Sequence, residues 1–348
     1  MSTEILHAPP SAAAQQPGAK ASGKKPLLSR LLQFQGYLGL LAVFIAGIAF
    51  APVQGGVNLF LDMNNQMNIL RYVSVVGIIA VGMTLVILIA EIDLSVGATM
   101  AFLATLTAWL LMIVKLPAAV AFPIVLVAGA LLGSVNGLVT TGLSIPSFVT
   151  TLAMMSVARG LARLSFGGKA IPLLPVSMGG TVSESTFLVA DRLGGVLPIP
   201  ALIMFVVAIV ASLCLKFMPF GRHVYAIGGN PVAARLSGVR VKSTKVVVFM
   251  IAGACTALAG YLHALQLNQG APNDGVGYEL NAIAAVVIGG TSLMGGIGSI
   301  ASTVAGAWML GMIDNILNLN NVESDVQLLV KGGLIVVAVA LQRLQRRS

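Results

Sequence analysis

Groups able to do covalent or metal chemistry are sparse in this 348-residue chain and badly placed for it. His7, His223 and His263 lie on three separate segments. No HExxH or Cys/His spacing accompanies them, so the pattern offers no metal site. Cys214 and Cys255 both fall inside apolar runs and read as small buried hydrophobes. Gly23-Lys24 and Gly168-Lys169 lack the spacing and the following Ser/Thr of a phosphate-binding loop, so the chain itself should hold neither ATP nor another cofactor. Gly296-Ile-Gly298 follows no strand, which removes a dinucleotide loop. What remains is hydrogen-bonding chemistry. Asn65, Asn68, Asp93, Ser95, Asn136, Thr150, Thr151, Asn315 and Asn318 are set in or beside apolar stretches. Such groups either tie helices together or stand where a polar solute passes. Asp93 and Ser95 have a further local reading as caps on the helix that starts there, worth about 1 kcal/mol. Arg159, Arg163, Asp314 and Lys331 are costly ions in or near apolar runs, and must pair, line water or sit at an interface.

The elements that position these groups are membrane helices. Apolar residues make up 57% of the chain and charged ones 9%, against about 25% charge in a soluble domain. Most of its solvent must be lipid. The sequence predicts an all-α polytopic membrane protein of about ten transmembrane helices. The expected spans are 36–53, 69–90, 95–114, 118–141, 148–165, 199–217, 246–266, 281–294, 298–317 and 326–342. The eighth is too short for a full crossing and rich in glycine at its end, which suits a broken or half-span segment. Residues 1–35 read as a disordered basic cytoplasmic tail with no signal-peptide pattern, 36–342 as one transmembrane domain, and 343–348 as a second basic cytoplasmic tail. Thirteen of the 20 Lys and Arg fall in the N-terminal tail, the 216–245 loop and the C-terminus. The positive-inside rule therefore puts both termini and that loop in the cytoplasm. The net charge of +9 lies between apolar runs rather than along one soluble face, which argues against a nucleic-acid partner. In the fourth span Gly129, Gly133 and Gly137 repeat every four residues, the spacing of close helix packing in lipid, whether static or beside a moving pore.

The 216–245 loop is too structured to be a simple connection. Residues 221–238 read Gly-Arg-His-Val-Tyr-Ala-Ile-Gly-Gly-Asn-Pro-Val-Ala-Ala-Arg-Leu-Ser-Gly. Gly221 opens the stretch and Gly238 closes it. Gly228 and Gly229 permit a sharp turn, and Asn230-Pro231 begins a short helix running to Ser237. Ala233 and Ala234 are small enough for a partner to approach closely. Leu236 adds apolar surface, while Arg222 and Arg235 offer charge-assisted hydrogen bonds.

This stretch resembles the cytoplasmic coupling loop in permease subunits of bacterial ABC sugar importers of the ribose/xylose/arabinose type. Glu91-Ile-Asp-Leu-Ser-Val-Gly97 resembles the Ile-Asp-Leu-Ser-Val-Gly signature of that family. Ile145-Pro-Ser-Phe-Val-Thr-Thr-Leu152 followed by Ala158-Arg-Gly160, and the Ile-Gly-Gly-Thr-Ser-Leu element within 278–296, extend the likeness from residue 65 to 342. Asn281 departs from it, standing where the family usually has Asp. The resemblance implies a transport subunit, not an enzyme, in the bacterial inner membrane. It implies a separate ATPase with two fused nucleotide-binding domains, which carries the ATP and Mg and docks on the loop. It also implies a periplasmic sugar-binding protein on the outer face and a second copy of this chain. The cargo would be a monosaccharide, a ribose-type pentose first. A sugar has many hydroxyls and no charge, so its path needs weak, releasable polar contacts, and the amides and hydroxyls named above are the candidates. Two other classes stay open. One is an ABC permease for a branched-chain amino acid or a polyol such as inositol. The other is an ion-coupled secondary transporter, which should show deeply buried carboxylates; here most acids lie at span ends.

Overall fold

The computed structural model describes residues 35–347, so the expected tail at 1–34 lies outside the described residues. The chain is mostly helical and polytopic, and every stretch expected to span is a helix. The order is α1 (Gln35–Phe50), α2 (Met63–Leu88), α3 (Val96–Ala108, continued by a π-helical turn, Trp109–Ile113), α4 (Ala118–Gly142), α5 (Ser147–Ser165), the short α6 (Glu184–Phe187), α7 (Ile199–Phe217), α8 (Pro219–Gly229), α9 (Pro231–Leu236), α10 (Val241–Leu267), α11 (Tyr278–Ile288), α12 (Ile300–Leu319) and α13 (Ser324–Arg347). Among the described residues, six helices are long and apolar enough to cross a membrane: α2, α3 with its extension, α4, α7, α10 and α12. Of the other four expected spans, α5 carries Arg159 and Arg163, and α13 carries Asp325 and Lys331. Both are amphipathic rather than apolar all round, as helices lining a polar surface must be.

Helix α2 is the axis of the bundle. From Val73 to Leu88 it is apolar almost all round and buried without a break, as such a stretch must be. α10 runs beside it, with Gly82 of α2 close against the Ala252 backbone. α4 lies on the other side of α10. A Cβ added at Gly129, Gly133 or Gly137 would strike α10 at Gly253, Phe249 or Val246. The four-residue glycine repeat is thus the seam that brings two backbones together. α12 closes the axis through a threonine pair, Thr84 Oγ1 to Thr303 Oγ1 at 2.8 Å.

Two breaks shape the bundle. α10 ends at Asn268 with φ of 53°. The next residues, β2 (Gln269–Gly270), pair antiparallel with β1 (Ile171–Pro172). α11 has only 11 residues, about 16 Å of helix at 1.5 Å per residue, roughly half of a 30 Å hydrocarbon core. The expected eighth span thus stops at Ile288 instead of 294. Gly290, Gly295 and Gly296 then take φ between 73° and 96°, a region other residues rarely enter. At the far end of the chain α13 continues to Arg347, so 343–347 extend a helix rather than forming a separate tail.

Candidate functional site

The residues singled out above gather at opposite ends of α2. At its C-terminal end they form a tightly closed junction. Residues 216–245 are not a loop: α7 ends at Phe217, α8 and α9 follow, and α10 starts at Val241. Gly228 and Gly229 do not make the expected turn. Both lie inside α8 and neither has a positive φ. Asn230, with φ of −159°, turns the chain and then caps α9. Its Oδ1 accepts from Val232 N and Ala233 N, both at 3.0 Å, with Pro231 at the first helical position, where its missing N–H costs nothing. Gly228 is needed for a different reason. A Cβ there would run into the Leu88 carbonyl oxygen and the Gly296 backbone nitrogen. Gly296 N itself donates to Leu88 O at 2.9 Å, and Tyr225 Oη donates to Gly298 O at 2.9 Å. Lys245 and Glu91 form an ion pair at the same place. The end of α8, the end of α2 and the 289–299 loop thus meet at one point.

Of the short helix, only Ala234 faces inward, at 5% exposure. Val232 and Leu236 are 66% and 85% exposed, and Ala233, Arg235 and Ser237 are exposed with them. Ala234 therefore holds α9 to its own chain and is not part of an outward docking face. Arg222 is exposed, Gly221 is buried where a Cβ would meet Leu215 O, and Gly238 ends α9 with φ of 86°. A cleft of about 470 Å³ opens beside α9, lined by Pro231, Val232, Arg235 and Val239–Ser243.

Just inside this end lies a buried knot of polar side chains. Asp93 Oδ1 accepts from Ser95 N at 2.8 Å and from Ser95 Oγ at 2.6 Å. Asn136 Nδ2 donates to Ser95 Oγ at 3.0 Å. Leu94 N donates to Thr151 Oγ1 and Ile92 N to Ser147 Oγ, both at 3.0 Å. The turn between α2 and α3 is thereby tied to α4 and α5. Ser95 stands at the N-cap of α3, but no side-chain oxygen caps that helix. Thr150 is buried next to the knot, and its hydroxyl has no partner.

At the other end of α2 the polar residues surround a void. α2 begins at Met63, so Asn65 and Asn68 lie within its first turns rather than before it. Asn65 and Asn315 exchange amide hydrogen bonds at 3.0 and 2.8 Å. Arg192 Nη2 donates to Asn68 Oδ1 at 2.7 Å, and Gln327 Nε2 to Asn318 Oδ1 at 2.8 Å. A cavity of about 270 Å³ lies between α2, α12 and α13, lined by Asn68, Ile69, Tyr72, Gly311, Asp314, Asn315, Asn318, Gln327 and Lys331. Lys331 Nζ pairs with Asp314 Oδ2 at 2.9 Å in its wall.

Residues 65–339 match the family described as the branched-chain amino acid transport system / permease component. The chain belongs to that family. Among curated relatives, the ribose import permease protein RbsC of Haemophilus influenzae is 42% identical over 299 residues, covering 85% of this chain and 90% of the relative. The Escherichia coli K12 protein of the same name is 41% identical, over 80% of this chain and 86% of its own. The xylose transport system permease protein XylH of E. coli K12 is 33% identical, over 91% and 93%. No solved structure matches the chain.

A permease of this family is a transport component, not an enzyme, and ATP hydrolysis belongs to a separate subunit. Within this permease the nine candidate path residues fall into two groups. Asp93, Ser95, Asn136, Thr150 and Thr151 form or flank the closed knot. Asn68, Asn315 and Asn318 line the cavity, with Asn65 holding Asn315 from behind. Sequence reading left Tyr72 out. It sits one helical turn after Asn68, a spacing that puts both on one face of α2. Arg159 and Arg163 fasten α5 to the segment after Gly270, Arg159 through the carbonyls of Pro272 and Asp274 at 2.6 and 2.8 Å and Arg163 through Asn273.

Proposed function

We propose that this permease moves a ribose-type monosaccharide across the bacterial inner membrane, and that the cavity between α2, α12 and α13 is part of its path. The observation that carries the reading is the cavity's lining. Four side-chain amides and one phenol face one void, in a helix bundle where each such group has to be justified. A neutral polyhydroxylated solute is the cargo such a wall suits, since amides both donate to and accept from hydroxyls without trapping the solute. The relatives named for ribose and xylose support the same class.

We further infer the arrangement in the membrane. Ten crossings, the one begun by the short α11 being completed by the 289–299 loop, return both termini to the cytoplasm with their lysines and arginines. α8, α9 and their cleft then face the cytoplasm, and the sugar cavity opens toward the periplasmic half. Val232, Leu236, Arg222 and Arg235 are the exposed surface that an ATPase with two fused nucleotide-binding domains would grip. The Gly228 junction would pass its motion to α2 and the 289–299 loop. A second copy of this chain would complete the channel, and a periplasmic sugar-binding protein would dock on the far side.

The test is uptake into proteoliposomes containing this permease, its ATPase and its binding protein, with a panel of radiolabelled sugars, inositol and leucine. ATP-dependent uptake of ribose or a related pentose is the expected result. Uptake of leucine alone would overturn the sugar reading, and uptake driven by an ion gradient without ATP would overturn the class. Native mass spectrometry of the same complex should show two permease copies.

A further inference from the structure

The cavity wall contains two formal charges that a neutral cargo does not require. Asp314 on α12 and Lys331 on α13 are 13% and 17% exposed and bonded to each other. An ion pair at such a position is retained at a cost, because desolvating the two charges offsets much of their attraction. The pair is also incomplete. Asp314 Oδ2 takes the Lys331 ammonium, while Asp314 Oδ1 is buried and has no hydrogen-bond partner. An unmade bond to a buried carboxylate oxygen is expensive. Their surroundings are Asn68, Tyr72, Asn315 and Gln327, all able to bond hydroxyls.

We propose that the Asp314–Lys331 pair is the contact that takes two adjacent hydroxyls of the sugar as it passes. Asp314 Oδ1 accepts from one hydroxyl, and the Lys331 ammonium donates to the oxygen of its neighbour. Both bonds are charge-assisted and so stronger than those from the amides around them. In the present conformation the pair is closed on itself and the free oxygen is shielded. A shift of α13 relative to α12 opens it. The pair is neutral as a whole, so it adds no net charge to the path of a neutral solute. The inference rests on the sugar-permease reading and adds its site of contact.

The experiment measures ATP-driven ribose uptake by the reconstituted permease–ATPase complex as a function of loaded binding protein. Asp314→Asn and Lys331→Met should each lower the saturated rate about tenfold. The half-saturating concentration, set by docking on the outer face, should stay where it is. The double variant Asp314→Lys with Lys331→Asp restores an ion pair with reversed polarity, and it should remain as slow as the single variants. Wild-type rates in either single variant would overturn the proposal. So would full recovery in the double variant, because the pair would then be only a strut between α12 and α13. Failure of both single variants to assemble with the ATPase would also count as a strut. If the wild-type complex carries no sugar at all, the sugar reading fails first, and that result is visible before any variant is made.

Discussion

The two ends of α2 hold the same kinds of side chain and use them in opposite ways. At the C-terminal end Asp93, Ser95, Asn136 and Thr151 spend their hydrogen bonds on one another and on the backbone. At the N-terminal end Asn68, Asn315, Asn318 and Asp314 also have partners, Arg192, Asn65, Gln327 and Lys331, but they stand around a void of about 270 Å³ that such a group can still face. In lipid a polar group has either a protein partner or a watery space to face. The first end joins helices and must be dry and rigid. The second leaves room and must give. A polar residue in an apolar run therefore announces a choice between these two roles, and the packing around it decides which.

The largest effect should come from filling the closed end. Gly228→Val puts methyl groups where the Leu88 carbonyl and Gly296 nitrogen already touch the helix. Nothing there can step aside, because all the contacts are backbone. Sugar uptake should fall more than tenfold, and the 289–299 loop should become accessible to protease. A Gly228→Val permease with half of wild-type uptake would show that the junction is loose and transmits nothing.

Next in size is the exposed part of α9. Leu236→Glu places a charge on a side chain 85% exposed, so the permease should keep its thermal midpoint. Co-purification of the ATPase should drop several-fold if that leucine is gripped by the partner. Unchanged recovery of the ATPase would move the docking surface away from α9. Ala234→Trp is a poorer test of docking, because Ala234 packs against this chain itself and the indole would distort the permease before any partner arrived.

The two ends should then separate cleanly by what a small truncation costs. Ser95→Ala removes a hydroxyl that donates to Asp93 and accepts from Asn136, leaving both short of a partner, at a cost of about 1–3 kcal/mol. It should lower the thermal midpoint of the detergent-solubilised protein and leave the uptake rate per folded molecule near wild type. Asn315→Ala should do the reverse. It frees Asn65, which keeps a second bond to the Phe60 carbonyl, so stability should hold while uptake falls two- to fivefold. Equal loss of stability in both variants would erase the distinction drawn between the ends.

Much of this arrangement was legible in the sequence, for reasons that can be named. Apolar runs locate helices whatever their partners, and Gly129, Gly133 and Gly137 mark a close seam because only small residues permit it. Asn230-Pro231 announces a helix start through capping chemistry that is entirely local. What stayed hidden depends on distant residues. Gly228 reads as a turn because glycine is the usual turn residue. Its real constraint is Leu88 and Gly296, which lie 140 and 68 positions away in the chain. The inward face of Ala234 is invisible because Ala233 and Ala234 are the same residue, and only the placement of α9 tells them apart. The Asp314–Lys331 pair needs two helices to meet, so sequence gives the ions without the bond.

The smallest effect should be found one residue from the largest. Gly229 is adjacent to Gly228, is equally helical, and has no atom within 4 Å of the position a Cβ would take. It has no positive φ for a side chain to strain. An alanine there, at the last helical position, enters open space and recovers part of the conformational entropy that a glycine loses, a gain below about 1 kcal/mol. Gly229→Ala should therefore leave uptake within twofold of wild type and leave the thermal midpoint equal or slightly raised. If Gly229→Ala instead abolishes uptake while the folded permease remains stable, the surface at Gly229 is itself pressed against the ATPase. The docking face would then extend from α9 back onto the end of α8, with Gly228 and Gly229 serving opposite sides of the same helix.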